Sequence, residues 1–422
     1  MGLAETTSGF LKFSIHARGR TMRILDTRNF SVPGFKAWGI HCGIKKEGKK
    51  DLALIFSDRE AAVAGVFTRN RVKAAPVLLD MAKIKSGRGR AIVANSGCAN
   101  ACTGKRGLSD AHATAELAAK ELGIRSDAVY IASTGVIGEF LPMQKVSTGI
   151  SLAGGLLSPS GWEQAAEAIM TTDMYPKVSV VREEIGGKTV TVAGIAKGSG
   201  MIHPDLATML CFIVTDAFIP APALKRALLA SADVSFNRIS VDGETSTNDM
   251  ILCMANGAAG NKRPAIGGKD LKKFQACLDA VTRSLAMQVV RDGEGATKFV
   301  EITVQGAKNP VEAKRAAMTV ARSSLIKTAL FGEDANWGRI MSALGNAGVE
   351  MEEARTDIHI GKARIVEKGL GQGKAMEREA AQALKQREVR IAIDLHKGKA
   401  ESTVWTCDLS YEYVKINAAY RS

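Results

Sequence analysis

The stretch with the clearest chemical potential is a loop that runs directly into an apolar strand. It reads Lys197-Gly-Ser-Gly-Met-Ile-His-Pro-Asp-Leu-Ala-Thr208, and the apolar run Met209-Leu-Cys-Phe-Ile-Val214 follows it. A threonine hydroxyl at the start of a strand, after a strained turn, could attack the peptide carbonyl just before it. Gly198 and Gly200 permit the strained backbone that such an attack needs. The small side chain of Ala207 leaves its own carbonyl open to attack.

Cleavage at this position would give Thr208 a free α-amine. An α-amine has a pKa of about 7.7–8.0, so near neutral pH a useful fraction is an unprotonated base. This amine can take the proton of its own side-chain hydroxyl, which makes the threonine an activated nucleophile. The residues alone favour a simpler interpretation, because threonine is common in strands and glycines before a strand usually form a turn.

Other catalytic arrangements find little support in the sequence. The six histidines are not spaced as metal ligands, and no Gly-x-Ser-x-Gly elbow occurs. Cys98-Ala-Asn-Ala-Cys102 lacks the two-residue spacing of a zinc or thioredoxin-like pair. The segment Gly369-Leu-Gly-Gln-Gly-Lys374 matches neither nucleotide-binding loop pattern, so we interpret it as an ordinary connection. We predict no metal site, no cofactor and seven reduced cysteines.

The elements that must position these residues alternate along the chain. Short β-branched runs alternate with Ala-rich helical stretches, which predicts an α/β or α+β protein, and 422 residues predict two intimately packed lobes. The predicted strands are Leu52–Phe56, Val63–Phe67, Val77–Leu79, Ala91–Ala94, Thr189–Ile195, Thr208–Val214, Phe299–Val304, Ala363–Glu367 and Val389–Ile393. The predicted helices are Ser109–Leu122, Trp162–Met170, Ala221–Ala232, Lys269–Val289, Pro310–Thr328 and Glu377–Lys385. Ser109 and Asn309 are the predicted N-caps of their helices.

Charge and hydropathy restrict the partners of the protein. The formal net charge is +14, and the tightest basic cluster contains Lys45, Lys46, Lys49 and Lys50. No aromatic residues interleave with these lysines, so we predict a solvated loop rather than a nucleic-acid platform. No apolar run approaches the ~20 residues that a membrane-spanning helix needs. We predict a cytoplasmic protein that binds no nucleic acid and no membrane.

Several segments in a fixed order make the chain resemble the ornithine acetyltransferase (ArgJ) family, also called glutamate N-acetyltransferases. The likeness extends from Val32 to Ser422 and includes the loop that ends at Thr208. Its other segments are Asn95–Gly104, Ser133–Gly138, Thr171–Lys177, Val241–Asp249, Arg291–Lys298, Phe331–Arg339 and Asn417–Ser422. Two residues depart from the usual family pattern, namely Cys98 and Met174.

The resemblance implies a chain that cuts itself between Ala207 and Thr208. Residues 1–30 are then an N-terminal extension, residues 31–207 an α chain and residues 208–422 a β chain that begins with the nucleophile. The implied fold is the self-processing N-terminal-threonine nucleophile fold of the ornithine acetyltransferase and aminopeptidase type. The implied assembly is a heterotetramer of two α and two β chains.

The resemblance also implies an acyltransferase of arginine biosynthesis. Thr208 would take the acetyl group of N-acetylornithine and pass it to glutamate in a ping-pong reaction. Thr134 and Gly135 match the oxyanion-hole pair of the family. The matched substrate contacts are Thr171, Lys197, Thr208, Glu294, Asn417 and Ser422. Whether acetyl-CoA also donates the acetyl group stays open. The alternative functions are an aminopeptidase or amidase of the same fold group and a non-catalytic nucleic-acid-binding protein.

Overall fold

The computed structural model describes residues 14–17, 20–25, 30–46, 48–203, 209–265 and 267–419, in which strands and helices alternate. The strands are β1 (Ser14–Ala17), β2 (Arg20–Arg23), β3 (Phe35–Ile40), β4 (Leu52–Phe67), β5 (Arg88–Cys98), β6 (Val129–Val136), β7 (Lys177–Ile185), β8 (Lys188–Lys197), β9 (Leu210–Thr215), β10 (Ile239–Ser240), β11 (Met250–Ala255), β12 (Phe299–Ala307), β13 (Asp357–Ile360), β14 (Ala363–Glu367), β15 (Leu370–Gly371), β16 (Glu388–Asp394) and β17 (Ala400–Cys407). The helices are α1 (Ala75–Lys83), α2 (Gly104–Leu122), α3 (Met143–Leu156), α4 (Trp162–Ile169), α5 (Ala221–Asp233), α6 (Lys269–Arg291), α7 (Pro310–Arg322), α8 (Ser324–Phe331), α9 (Trp337–Gly345), α10 (Gly373–Leu384) and α11 (Tyr411–Ala418).

The larger sheet has eight strands in the order β6-β5-β4-β11-β9-β8-β7, with β3 paired to β4. Strand β9 lies between β8, to which it is antiparallel, and β11, to which it is parallel. In the register of these strands, Leu210 is opposite both Lys197 and Met250. The sheet therefore combines strands from both sides of position 208.

The second sheet has seven strands in the order β10-β17-β12-β16-β13-β14-β15. Its edge strand β10 comes from the chain segment that precedes α6 and pairs in parallel with β17. Phe299, Trp405 and Cys407 of this sheet belong to the same hydrophobic core as Cys211 and Ile213 of the larger sheet, so the two lobes share a core. This architecture confirms the predicted α/β class with two intimately packed lobes.

Strand β9 shows why a continuous apolar run becomes a central strand. All six of its residues are buried. Cys211 and Ile213 pack in the hydrophobic core that contains residues of α5 and α6. Phe212 and Val214 face the opposite side of the sheet, in the core that contains residues of α4. Covering both faces of a strand favours apolar residues at every position, without the alternation of a half-exposed strand.

Three of the strand predictions need correction. Leu52–Phe56 and Val63–Phe67 are parts of one strand, β4, which continues through the exposed polar residues between them. The strand predicted at Val77–Leu79 is wrong, because these residues lie in α1. Pro76 occupies the first turn of α1, where its missing N–H leaves no hydrogen bond unmade.

Two of the helix predictions also need correction. The helix predicted at Pro310–Thr328 is two helices, because Ser323 leaves the helical region at ψ 113 and its side chain caps α8. The predicted cap Ser109 is wrong, since α2 begins at Gly104. The cap predicted at Asn309 is confirmed, because its Oδ1 accepts the Glu312 N–H at 2.9 Å. The other predicted elements are present, with ends shifted by up to five residues, the largest shift being at the start of α2.

Two further features bear on the predicted environment of the protein. All seven cysteines are free thiols. Within the described part of the chain, no helix combines the length and the apolarity that a bilayer span requires.

Candidate functional site

A cavity of about 260 Å³ lies beside the C-terminal ends of β6 and β8 and the start of β9. It is smaller than the roughly 300–1,000 Å³ of a pocket for a drug-sized ligand, so its volume suits an amino-acid-sized molecule. Its lining residues are Thr134, Gly135, Val136, Ile137, Thr171, Thr172, Lys197, Gly200, Met201, Met209, Leu210, Ser246, Thr247, Asn248, Asp249, Glu294 and Asn417.

This cavity brings together every predicted site residue that the structure describes. These residues are Thr134, Gly135, Thr171, Lys197, Glu294 and Asn417. Ala207, Thr208 and Ser422 lie outside the described residues. Met209, the neighbour of Thr208 in the sequence, lines the cavity. A larger cavity of about 540 Å³ beside Arg88 and Arg90 contains none of the predicted site residues.

Thr134 and Gly135 lie at the end of β6, which pairs in parallel with β5. Gly135 has φ 132, and a Cβ there would lie 2.3 Å from the carbonyl carbon of Gly97. Only glycine permits both this backbone conformation and the close approach of the two strands. The backbone of residue 135 is consequently fixed where it borders the cavity.

Gly135→Ala should lower the free energy of unfolding by about 3 kcal/mol or more, because the new methyl group overlaps the β5 backbone. Gly138→Ala is the matched control, since Gly138 also has a positive φ (89) but nothing lies within 4 Å of its Cβ position. The control should cost only about 1–2 kcal/mol. Thermal unfolding of both variants checks this, and equal melting temperatures would contradict it.

Asn248, which sequence reasoning left without a role, supports the backbone beside Thr134. Its amide donates to the carbonyl of Ser133 at 2.8 Å and to that of Ala99 at 2.6 Å. The Ser133 carbonyl belongs to the peptide unit that carries the Thr134 N–H. Asn248 therefore fixes the orientation of this peptide at the cavity.

Lys197 is a buried cation at the end of β8. Its ammonium donates to the Thr134 hydroxyl at 3.2 Å. Burial lowers the pKa of Lys197, and the nearby carboxylates of Asp173 and Asp249 act in the opposite direction. The protein thus places a cation where little water can stabilise it, which suits a site for an anionic ligand group.

Glu294 and Asn417 form an acidic part of the cavity lining. The Asn417 amide donates to Glu294 Oε2 at 2.8 Å, and the Glu294 side chain is largely buried. A Cβ on Gly200 would lie 2.3 Å from the same carboxylate, so glycine at this position leaves the space that Glu294 occupies. Asn417 is on α11 and Glu294 follows α6, so this hydrogen bond connects two segments that are far apart in the sequence.

Asp249 adds a second buried carboxyl group to the cavity lining. Burial raises its pKa well above the usual value, while Lys197 and the Ser246 N–H act against this rise. Asp249 immediately precedes β11. The first residue of β11, Met250, donates its N–H to the carbonyl of Met209, which lines the cavity, so the pairing of β11 with β9 places Asp249 there as well. Asp249 belongs to the family-like segment Val241–Asp249, but nothing in the sequence indicates that its carboxyl group is buried.

Lys45 corrects the prediction of a solvated lysine loop. Its ammonium donates to the carbonyls of Lys50 at 2.8 Å and Met170 at 2.6 Å. Burial lowers the pKa of Lys45 to about 8. Because Met170 precedes Thr171, this lysine supports the backbone at the edge of the cavity. Lys46 and Lys49 are exposed as predicted, and Lys50 is half-buried like Lys45.

The fold and the site define an α/β protein with a small cavity lined by a buried lysine and a buried glutamate. The chain belongs to the ArgJ family, whose family model matches residues 36–422. The arginine biosynthesis bifunctional protein ArgJ of Symbiobacterium thermophilum is similar, with 51% identity over 392 residues that cover 92% of this chain and 97% of the relative.

Two solved structures are also similar to this chain. The arginine biosynthesis bifunctional protein argJ of Bacillus halodurans has 44% identity and a TM-score of 0.48, and covers 50% of this chain and 98% of its own. The ornithine acetyltransferase of Mycobacterium tuberculosis, complexed with ornithine, has 45% identity and a TM-score of 0.42. It covers 44% of this chain and 100% of its own.

Proposed function

We propose that this chain is an acyltransferase of arginine biosynthesis that moves the acetyl group of N2-acetylornithine to glutamate. The observation that carries the proposal is one cavity lined by Thr134, Gly135, Thr171, Lys197, Glu294 and Asn417, with Met209 beside them. Met209 directly follows Thr208, the proposed nucleophile. Membership of the ArgJ family supports the same reaction.

The proposed maturation step is a self-cleavage between Ala207 and Thr208. The Thr208 hydroxyl oxygen attacks the Ala207 carbonyl carbon, its proton passes to the amide nitrogen, and the C–N bond breaks to leave an ester. Water then hydrolyses the ester to a carboxylate on Ala207 and restores the threonine hydroxyl. The products are an α chain that ends at Ala207 and a β chain that begins at Thr208.

The proposed transfer reaction proceeds in two displacements. The free amine of Thr208 takes the hydroxyl proton, and the oxygen attacks the acetyl carbonyl of N-acetylornithine. The N–H groups of Thr134 and Gly135 stabilise the oxyanion, a contribution often worth about 2.7–4 kcal/mol per donor. The Thr208 amine passes the hydroxyl proton to the ornithine nitrogen as the C–N bond breaks, and ornithine leaves. The glutamate amine then attacks the acetyl ester, the ester C–O bond breaks, and a proton of that amine passes through the Thr208 amine to the threonine oxygen. The products are N-acetylglutamate and free Thr208.

The charges of the cavity match those of N-acetylornithine, and glutamate shares its α-carboxylate. Lys197 would bind the α-carboxylate that N-acetylornithine and glutamate share. Glu294 would bind the side-chain ammonium of the ornithine moiety. Thr171 also lines the cavity, and its hydroxyl can donate a hydrogen bond to the acetyl-amino acid. The protein thereby fixes both ends of a small zwitterionic substrate while the acetyl group faces Thr208.

The remaining parts of the proposal concern partners and location. We infer that the active form is a cytoplasmic heterotetramer of two α and two β chains, and that Ser422 contributes to substrate binding. Acetyl-CoA is the second candidate acetyl donor.

Incubating the purified protein with N-acetylornithine, with and without glutamate, tests the reaction. With glutamate present we expect continuous release of ornithine and an equal amount of N-acetylglutamate. Without glutamate we expect one ornithine per active site and then no more, because the acetyl-threonine has no acceptor. Continuous release of ornithine and acetate without glutamate would instead identify an amidase.

A further inference from the structure

Three charged side chains lie buried behind the cavity without lining it. Lys177, the first residue of β7, donates to Asp173 Oδ1 at 2.6 Å and to Asp292 Oδ2 at 2.5 Å. The side chains of Lys177 and Asp173 are fully buried, and that of Asp292 is 2% exposed. We call these three residues the Lys177 network.

Asp173 connects the network to two segments of the cavity wall. Its Oδ2 accepts the N–H of Thr171 at 2.9 Å. Its Oδ1 accepts the N–H of Gly198 at 2.7 Å, and Gly198 directly follows Lys197. One carboxylate therefore fixes both the Thr171 backbone and the end of the strand that carries the buried cation.

Asp292 connects the network to the acidic part of the cavity. Its Oδ2 also accepts the Met174 N–H at 3.0 Å. Its own carbonyl accepts the Ser199 hydroxyl at 2.6 Å, and the carbonyl of Ser199 accepts the Glu294 N–H at 3.0 Å. The turn that carries Glu294 is thus bound to the segment that follows Lys197.

Stability alone gives no account of such a network. Removing charges from water is costly, and replacing a buried ion pair by apolar residues is often neutral or stabilising. Lys177 holds Asp173 ionised, since burial alone would raise its pKa whereas Lys177 and Lys197 lower it to about 2. Among the residues that the structure describes, the remaining hydrogen bonds of the two carboxylates come from the backbone N–H groups of Thr171, Met174 and Gly198.

We propose that Lys177 is a positioning residue that, through Asp173 and Asp292, sets the spacing between the two charged ends of the substrate cavity. This inference rests on the proposed function. Asp173 positions the end that binds the α-carboxylate, and Asp292 positions the end that binds the ammonium. Loss of Asp292 should therefore impair recognition of the ammonium more than recognition of the carboxylate.

Asp292→Ala tests this division of roles. N-acetylnorleucine, which has a methyl group in place of the ornithine ammonium, serves as the comparison substrate. We expect the preference in kcat/KM for N-acetylornithine over N-acetylnorleucine to fall about tenfold, because the Glu294 carboxylate is then no longer held where it can bind the ammonium. Asp292→Asn keeps an acceptor oxygen for Lys177 and Met174 and should retain the parent preference within about threefold. Asp173→Ala should lower kcat/KM for both substrates alike, since both carry the α-carboxylate.

Asp279→Asn is the matched control for a general structural effect. Asp279 is a buried carboxylate on α6 that accepts from Ser231 and from Gln275 and does not line the cavity. This variant should lower the melting temperature and leave the substrate preference unchanged.

An Asp292→Ala protein that is destabilised like the control but keeps the parent preference overturns the inference. If Asp292→Ala does not fold, Ser199→Ala replaces it in the test, because this variant removes only the hydrogen bond from the Ser199 hydroxyl to the Asp292 carbonyl. An unchanged preference of Ser199→Ala for N-acetylornithine over N-acetylnorleucine would also overturn the inference. A parent that releases no ornithine from N-acetylornithine would instead overturn the proposed function itself.

Discussion

Thr208→Ala is expected to leave the protein as one uncut chain that transfers no acetyl group. Alanine has no hydroxyl to attack the Ala207 carbonyl, so neither the ester nor the free α-amine can form. Because the proposed reaction uses that amine as its base and that hydroxyl as its nucleophile, both activities should disappear together. Intact-mass analysis should show two fragments for the parent and one chain for the variant.

Thr208→Ser provides the control for this experiment. Serine retains the hydroxyl, so the chain should still be cut, and the mature form should retain measurable acetyl transfer. A parent protein that is fully active as a single unbroken chain would refute the proposed mechanism, because the nucleophile would then lack its base.

Lys197→Met is expected to lower kcat/KM at least about 100-fold for both N-acetylornithine and glutamate, since the charge-assisted contact to the shared α-carboxylate is lost. Its effect on stability should be small or favourable. Lys197 is a buried cation whose pKa is lowered by burial, and methionine has a similar length without a charge to bury. Steady-state kinetics and thermal unfolding on the same preparation check both parts.

Lys327→Met is the matched control, because Lys327 is also a buried lysine but lies on α8 away from the cavity lining. Its ammonium donates to the Thr406 hydroxyl and to the Cys407 carbonyl. The control should therefore lose stability and retain substrate turnover. If Lys197→Met kept normal kcat/KM, the assignment of the carboxylate site would be wrong.

Local sequence signals predicted those elements whose stability is mostly local. The cap at Asn309 and the helix at Trp162–Met170 were recognisable because a capping side chain and an apolar period act over a few residues. Val77–Leu79 resembled a strand because three residues are too few to reveal a period, and the burial of α1 decides its form. The break at Ser323 depends on where α8 packs, which a continuous helical pattern does not reveal.

The site illustrates the same limit in a different way. Family resemblance indicated Lys197 and Glu294, but no local pattern in the chain predicts that either side chain is buried. The Lys177 network was beyond sequence reasoning, because Lys177 and Asp292 are 115 residues apart. Asp249 was similarly hidden, since its raised pKa comes from the strands that enclose it. These properties arise only when distant segments meet in the folded chain.

The position of β9 between β8 and β11 determines how the two polypeptides stay together after the proposed cleavage. After the proposed cut, β8 belongs to one polypeptide and β9 to the other, yet their ladder and both apolar faces of β9 stay buried. The covalent link that first brought these strands together is then gone, so reassembly after unfolding becomes a bimolecular event with a larger entropic cost. We expect the uncut precursor to refold from denaturant and the mature protein to lose its structure irreversibly.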